Sequence, residues 1–467
     1  MPTLRTGLGT AGPAALTLVL GLWSITRDDS MWRDEAATWE AAHRSLPDLA
    51  HLLDRIDAVH GAYYLLMHGV FAVLGDSLVA LRLPSVLAMA GATAAIAATA
   101  RRLAGPRAGA AAGAAFALMP STQHYAQEGR SYALVVAAVA AATLLLATLM
   151  DGGARPGGPT AHLWTAYATA LLVAALLNWF SLLALPAHAA TVLATHRRGA
   201  TRLLTRWLTA AAMVAGGALP LVLASRSQAH QVAWIRPLTW STALAPALLI
   251  ALGALCASLL KRRPSTQTKA RTPTPASLGL PLLTFPLTAL FAVLLPLQLE
   301  LRTPQSRVDD VLAPAETVAR TSRPGDGVLF IPAWRRDTAE VSPGSFTGLD
   351  DLALAESPTA SGSLQGTEKS PSYIRKAMLR KHRILVVADA DDHPGGGRDA
   401  VKRRVLVAHF TRCADTETRG RRVQAYERGS RCTARPTGSS RVRAPDNEPL
   451  STREGNAGAR RQGHVEP

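Results

Sequence analysis

Apolar residues in this chain are gathered into long Ala/Leu/Val-rich runs that fill the sequence from about residue 9 to residue 300 and then stop. A helix needs about 20 apolar residues to cross the ~30 Å of bilayer hydrocarbon, and several runs here have that length. The pattern predicts nine spans, at 8–26, 80–100, 107–122, 131–150, 161–177, 179–195, 203–224, 240–260 and 277–299. The run 107–122 is short and rich in Ala and Gly, while His60–Gly75 carries His and Tyr and reads as a juxtamembrane helix at the interface. Leu8–Ile25 follows a single Arg5 and has no small-x-small cleavage site after it, so it reads as an uncleaved signal anchor.

Charge orients the spans. With the N-terminus inside, the inner loops hold Arg101, Arg102, Arg107, Arg155, Arg197, Arg198, Arg202, Arg206 and the basic residues of 261–271, with Asp151 as their only acid. Every other acid before residue 300, from Asp28 to Glu128, falls outside. The positive-inside rule therefore selects a cytoplasmic N-terminus, and nine spans place residue 300 onward outside. The formal charge of +17 is explained by this retention of Lys and Arg. With no helix-turn-helix, zinc-finger or aromatic-interleaved basic stripe, nucleic acid is not expected as a partner.

Three parts follow: a transmembrane domain at 1–300, a small α/β domain at 301–436, and a tail at 437–467 without apolar periodicity. In the second part GDGVLFIPAW (325–334), HRILVVADAD (382–391) and VLVAHF (405–410) read as strands, and VDDVLAPAETVARTS (308–322) as a helix despite Pro314. Cys413 and Cys432 are placed to form a disulfide if this part faces an oxidising compartment. The fold expected is an all-α polytopic membrane bundle of about nine helices, with juxtamembrane helices in the first outer loop and a C-terminal extracytoplasmic α/β domain.

Because the spans hold essentially no charge, the outer loops are where chemistry is expected. The first contains Asp34 and Glu35 just past the first span, at the start of a helix, where helix capping by dipole is the structural alternative. The second, STQHYAQEGRSYAL (121–134), concentrates Gln127, Glu128 and Arg130, and Arg130 has the planar fork suited to a phosphate. The third, SRSQAHQVAWIRP (225–237), adds Gln228 and Gln231. A carboxylate for an acceptor hydroxyl and a cation for a departing phosphate are what sugar transfer from a phosphate carrier requires.

At these residues the chain resembles the C-type (GT-C) glycosyltransferase superfamily, in its protein O-mannosyltransferase and lipid A aminoarabinose transferase-like branch. The acidic motif matches Arg33-Asp34-Glu35; D-x-x-(H/P)-x-x-YY matches Asp57, His60, Tyr63 and Tyr64. G-(D/S)-x…R-x-P-S matches Gly75, Asp76, Arg82, Pro84 and Ser85, and Y-x-Q-E-x-R-x-Y matches Tyr125, Gln127, Glu128, Arg130 and Tyr132. The resemblance implies a hexosyltransferase of the bacterial plasma membrane, with mannose a candidate sugar. The donor would be a polyprenyl-phosphate-linked sugar, and the acceptor a cell-envelope glycan, lipid or protein. It implies Asp34 as the catalytic acid with Glu35 in support. Arg130, Gln127, Glu128, His60, Tyr63, Tyr64, Gln228 and Gln231 would bind donor or substrate. Some relatives bind a divalent cation near these acids, a point the sequence leaves open. Gly61-Ala62 stand where relatives carry prolines, and only one span fits between Ala276 and Gln305 where relatives have a further hairpin. Those departures keep two rivals in view: a degenerate relative serving as an envelope scaffold, and a lipid-linked glycan transporter.

Overall fold

The computed structural model describes residues 2–152, 161–195, 201–228, 244, 281–390, 396–429 and 432. The expected span 240–260 except residue 244, the loop 264–275, Gln231 and the tail from 437 lie outside the described residues. The chain is mostly helical up to Glu300, and a small α/β unit follows.

Three helices are long and apolar enough to cross a membrane: α5 (Leu78–Ala104), α8 (Tyr132–Gly152, counted to Met150) and α11 (Thr201–Ser227). Further apolar helices stand among them: α1 (Pro2–Leu22), α6 (Pro106–Leu118), α9 (Ala161–Leu177), α10 (Ala184–Thr195) and α12 (Pro281–Glu300). Two of the expected spans are not continuous. The run 107–122 breaks at Met119, an extended residue before Pro120; α6 has only 13 residues, about 20 Å of helix, and α7 (Pro120–Ala126) restarts beyond the break. The run 179–195 opens as a 3-10 turn over Trp179–Leu183, where Asn178 caps Phe180 N–H, before α10 begins.

The spans are less featureless than their composition suggests. Trp207 donates to the Tyr167 hydroxyl at 3.0 Å, and Tyr167 and Thr143 bracket His188 at 3.0 and 3.1 Å, forming a polar chain across α8 to α11. Such bonds between helices satisfy side-chain polar groups that would otherwise need water.

The first outer loop folds into α2 (Arg33–Ala42), α3 (Leu46–Arg55) and α4 (Gly61–Leu74). Helix α4 falls on the run 60–75 expected as a helix, and it buries Tyr63, Tyr64, Met67 and Phe71 against α2, α3 and the start of α5. The end of α1 is held by side chains: Gln127 donates to the carbonyls of Gly21 and Trp23, and Arg302 to that of Leu20. These satisfy terminal carbonyls that the helix itself cannot.

Beyond α12 the chain builds α13 (Leu312–Thr321), β1 (Gly327–Ile331), α14 (Asp337–Val341), β2 (Asp350–Asp351), the pair β3 (Leu354–Glu356) and β4 (Thr367–Glu368) with α15 (Pro358–Ser361) between them, α16 (Pro371–Met378), β5 (Arg383–Asp389), α17 (Gly397–His409), β6 (Phe410–Thr418) and β7 (Arg421–Arg428). The main sheet runs β2-β1-β5-β7-β6, with β2, β1 and β5 parallel and β7 and β6 an antiparallel hairpin. Both faces of β1 and β5 are covered, by α16 and α17 on one side and α13 on the other, so these strands read as continuous apolar runs.

The segment 405–410 is not the expected strand: all but Phe410 belongs to α17. Val405 and Leu406 are buried side by side while Val407 is 85% exposed, a helical pattern rather than alternation. The strand with period-2 burial is β7, whose inward residues Arg421, Val423, Ala425 and Glu427 include two charges and so hid the pattern. Helix α13 starts at Leu312, which leaves Asp309 and Asp310 outside it and puts Pro314 in the first turn, where a missing N–H costs little. The Cys413–Cys432 disulfide is formed.

The β6–β7 hairpin turns on Arg419 and Gly420, at φ 48° and 81°, as a two-residue turn of the primed type requires. A Cβ on Gly420 would stand 2.6 Å from the Val308 carbonyl oxygen. Gly420→Ala should therefore lower the stability of the C-terminal unit by about 1–3 kcal/mol, measured as earlier proteolytic cleavage of this unit in the intact protein. Gly396→Ala, where nothing lies within 4 Å, should leave cleavage unchanged.

Candidate active site between the first outer loop and the C-terminal domain

Helix α2 begins immediately after Met31-Trp32, and its N-cap Trp32 supplies no side-chain cap. Asp34 and Glu35 occupy its first turn, where the helix dipole favours acids. Their side chains nevertheless have different fates, because successive helical residues point about 100° apart.

Glu35 is fully buried. Its Oε2 accepts from Arg27 at 2.6 Å and from Arg82 at 2.7 Å, and its Oε1 from Arg82 Nε at 2.8 Å and the Gly129 N–H at 2.9 Å. Burial alone would raise the Glu35 pKa; Arg27 and Arg82 outweigh it and bring it down to about 2. Arg82 also donates to the carbonyls of Ile25 and Ser30, each at 2.6 Å. A Cβ on Gly129 would meet Leu81 Cγ at 2.6 Å, so only glycine lets loop two approach this closely. Ser85 seats the same loop by donating to the Glu128 carbonyl at 2.6 Å. Glu35 thus has no open face and serves as the anchor of loops one and two.

Asp34 keeps its carboxylate partly open, at 38% side-chain exposure. Burial raises its pKa, with Arg130 and Arg33 opposing. Arg130 donates to the Asp34 carbonyl at 3.2 Å and bonds His60 Nε2 at 2.9 Å. Since a guanidinium can only donate, His60 accepts there and is neutral; burial first and Arg130 second hold its pKa down to about 4. Tyr64 donates to Asp57 at 2.8 Å beside them. Gln228 from the third loop clasps the same corner, accepting from Ala58 N–H at 3.0 Å and donating to the Leu53 carbonyl at 2.8 Å.

The structure therefore brings Asp34, His60, Tyr64, Arg130 and Gln228 to one corner. Gln127 is engaged with the end of α1, and Glu128 is buried with His124 Nε2 at 3.3 Å. Tyr63 is buried in the α4 core. Among the described residues no group of three or more His, Cys, Asp or Glu is arranged to hold a metal ion.

Sequence reasoning passed over the residues that close the site from above. Asp309 and Asp310 follow the last span; Asp309 accepts from Arg33 N–H at 3.2 Å and Asp310 from Met31 N–H at 3.1 Å, while Val311 N–H donates to the Met31 carbonyl at 2.7 Å. Their other oxygens bind the C-terminal unit: Asp309 to Arg335 at 2.6 Å and Arg421 at 3.1 Å, Asp310 to Arg419 at 2.9 Å. Two adjacent acids just after the last apolar run were the available signal, but both fell inside the stretch 308–322 that reads as a helix. The docking encloses a cleft of about 290 Å³, lined by Arg33, Asp34 and Glu40 on α2 and by Trp334, Asp337 and Glu340 opposite.

Neither any protein-family profile, nor any curated protein, nor any solved structure matches the chain.

Replacing Glu35 by Gln leaves two buried guanidiniums without a counter-charge, a change that costs about 3–5 kcal/mol in comparable buried pairs. The variant should lose most of its folded yield, measured by monodispersity in detergent. In the wild type the folded pKa of Glu35 lies below the ordinary value of 4.5. Its contribution is therefore complete above about pH 4.5 and lost as pH falls towards 2, which thermal unfolding across that window should show as a falling Tm.

Proposed function

We propose that the protein is a membrane glycosyltransferase that moves a hexose from a polyprenyl-phosphate donor to a cell-envelope acceptor at the outer membrane face. The observation that carries this reading is the unequal use of the acid pair: Glu35 is consumed by Arg27 and Arg82, while Asp34 faces a cleft with Arg130 bound to its own backbone. A partly desolvated carboxylate is a stronger base than a solvated one and suits removal of an acceptor hydroxyl proton. Arg130 is the fork for the departing phosphate, its charge sustained against burial by Tyr64, Asp34 and Asp57. An apolar furrow of about 670 Å³ runs along α5, which carries Arg82, and α8, which begins two residues after Arg130, and offers room for a lipid chain.

We further propose nine spans with the N-terminus inside. Three facts support this. Met31, His60, Arg130, Gln228 and Val311 meet at one corner, so their loops share a face. The acids of that face sit opposite the basic loops. A disulfide within the C-terminal unit suits the oxidising side. A scaffold role for a degenerate relative would not need Arg130 beside Asp34.

Asp34→Asn preserves shape and hydrogen bonding but not basicity, so transfer from a polyprenyl-phosphate sugar in membranes should fall by about 10²–10⁴-fold at normal expression. Arg130→Ala should raise the KM for donor. Wild-type transfer in Asp34→Asn would reduce Asp34 to a helix-start acid and favour the scaffold. In a Cys256→Ala background, Ser370→Cys should label from outside intact cells and Arg107→Cys only after permeabilisation; the reverse would overturn the orientation.

A further inference from the structure

The cleft over Asp34 has a far wall that proton removal does not explain. Trp334 stands on it with 53% of its surface exposed. It sits in the turn Ala333–Arg336, just before two arginines that lock the turn: Arg335 binds Asp309, and Arg336 binds Asp351 and the Gln365 carbonyl. A large aromatic face held rigidly in the open is the residue type most enriched where ligands are recognised. Across the cleft the Glu40 side chain is nine-tenths buried; Oε1 is taken by Arg44, and Oε2 has no partner at all. A buried carboxylate oxygen left unpaired is costly and rare in folded proteins. Gln365 adds an amide to the lining.

A cleft of about 290 Å³ is at the low end for small-molecule sites, which run from about 300 to 1,000 Å³. It suits one ring rather than an extended peptide or an acyl chain. The net charge of the lining is smaller than its four carboxylates suggest. Asp337 is bound by Arg421, Glu40 by Arg44, and Arg33 sits on the rim. A neutral polyhydroxylated ring fits this set better than an amine: its C–H face lies on the indole, and its hydroxyls donate to the carboxylates and exchange bonds with the amide. We propose that the acceptor is a carbohydrate, one pyranose ring of which occupies this cleft, stacked on Trp334 and hydrogen-bonded by Asp34 and Glu40. This rests on the glycosyltransferase reading and makes the C-terminal domain the acceptor-binding wall of the site.

The test uses the full chain in lipid nanodiscs with mannotriose, maltotriose and chitotriose as probes and trilysine as the cationic competitor, followed by saturation-transfer NMR and titration. At least one trisaccharide should bind. Trp334→Ala should weaken it by about tenfold or more, Trp334→Phe should retain most of it, and trilysine should not compete. In transfer assays Trp334→Ala should raise the KM for acceptor while leaving the KM for donor near its wild-type value. No saccharide binding, binding unchanged by Trp334→Ala, or displacement by trilysine would overturn the proposal. Saccharide binding in a protein that transfers no sugar would sink the enzyme reading alone. Transfer to a lipid or peptide acceptor that Trp334→Ala does not affect would sink the cleft assignment alone.

Discussion

The buried Glu35 carboxylate, bracketed by Arg27 and Arg82 and capped by the Gly129 N–H, is the contact on which the outer half of the molecule depends. It joins three stretches that are far apart in sequence: the turn after α1, the second turn of α5, and the loop before α8. Taking three charges out of water is unfavourable in itself, and the arrangement persists because the carboxylate's lone pairs are filled and Arg82 spends further N–H groups on the Ile25 and Ser30 carbonyls. Breaking one partner strands the others, so the cluster fixes the register of these segments rather than adding much net stability. Asp34, the next residue, inherits its position from it.

A second layer of acid–arginine contacts fastens the C-terminal unit to that platform. Asp309 and Asp310 each use one oxygen on the backbone of residues 31–33 and the other on an arginine of the α/β unit. Burial disfavours the charge on Asp309, and Arg421 and Arg335 more than reverse the effect. The tip of the β6–β7 hairpin, which needs glycine at position 420, rests on the same segment. The wall that carries Trp334 is thereby set opposite Asp34, and any chemistry at Asp34 takes place between two domains.

Much of this architecture was legible. Helix α4 was readable as a helix too short to cross a bilayer because His60, Tyr63 and Tyr64 interrupt its apolar run. Strands β1 and β5 were readable because both faces are buried and no alternation is needed. Strand β7 was not, since its inward Arg421 and Glu427 find ion-pair partners that only the folded chain supplies. Helix α17 was misread because Val405-Leu406-Val407 is locally indistinguishable from a strand until one knows that Val407 faces solvent. The breaks at Met119 and Asn178 depend on local backbone conformation that an average over apolar composition cannot see.

The sequence by itself determined that the chain carries bilayer-length apolar helices and that a small α/β unit follows the last apolar run, because hydrophobic length acts residue by residue. It also put Asp34, His60 and Arg130 between the long apolar runs rather than inside them. Only the tertiary structure decided which of two adjacent acids stays open to a cleft, since Asp34 and Glu35 differ by a rotation about the helix axis and by the arginines that happen to meet one of them. It alone placed Trp334, separated from Asp34 by 300 residues, on the opposite wall, because a contact between distant segments depends on how each element is packed and on no local property of either.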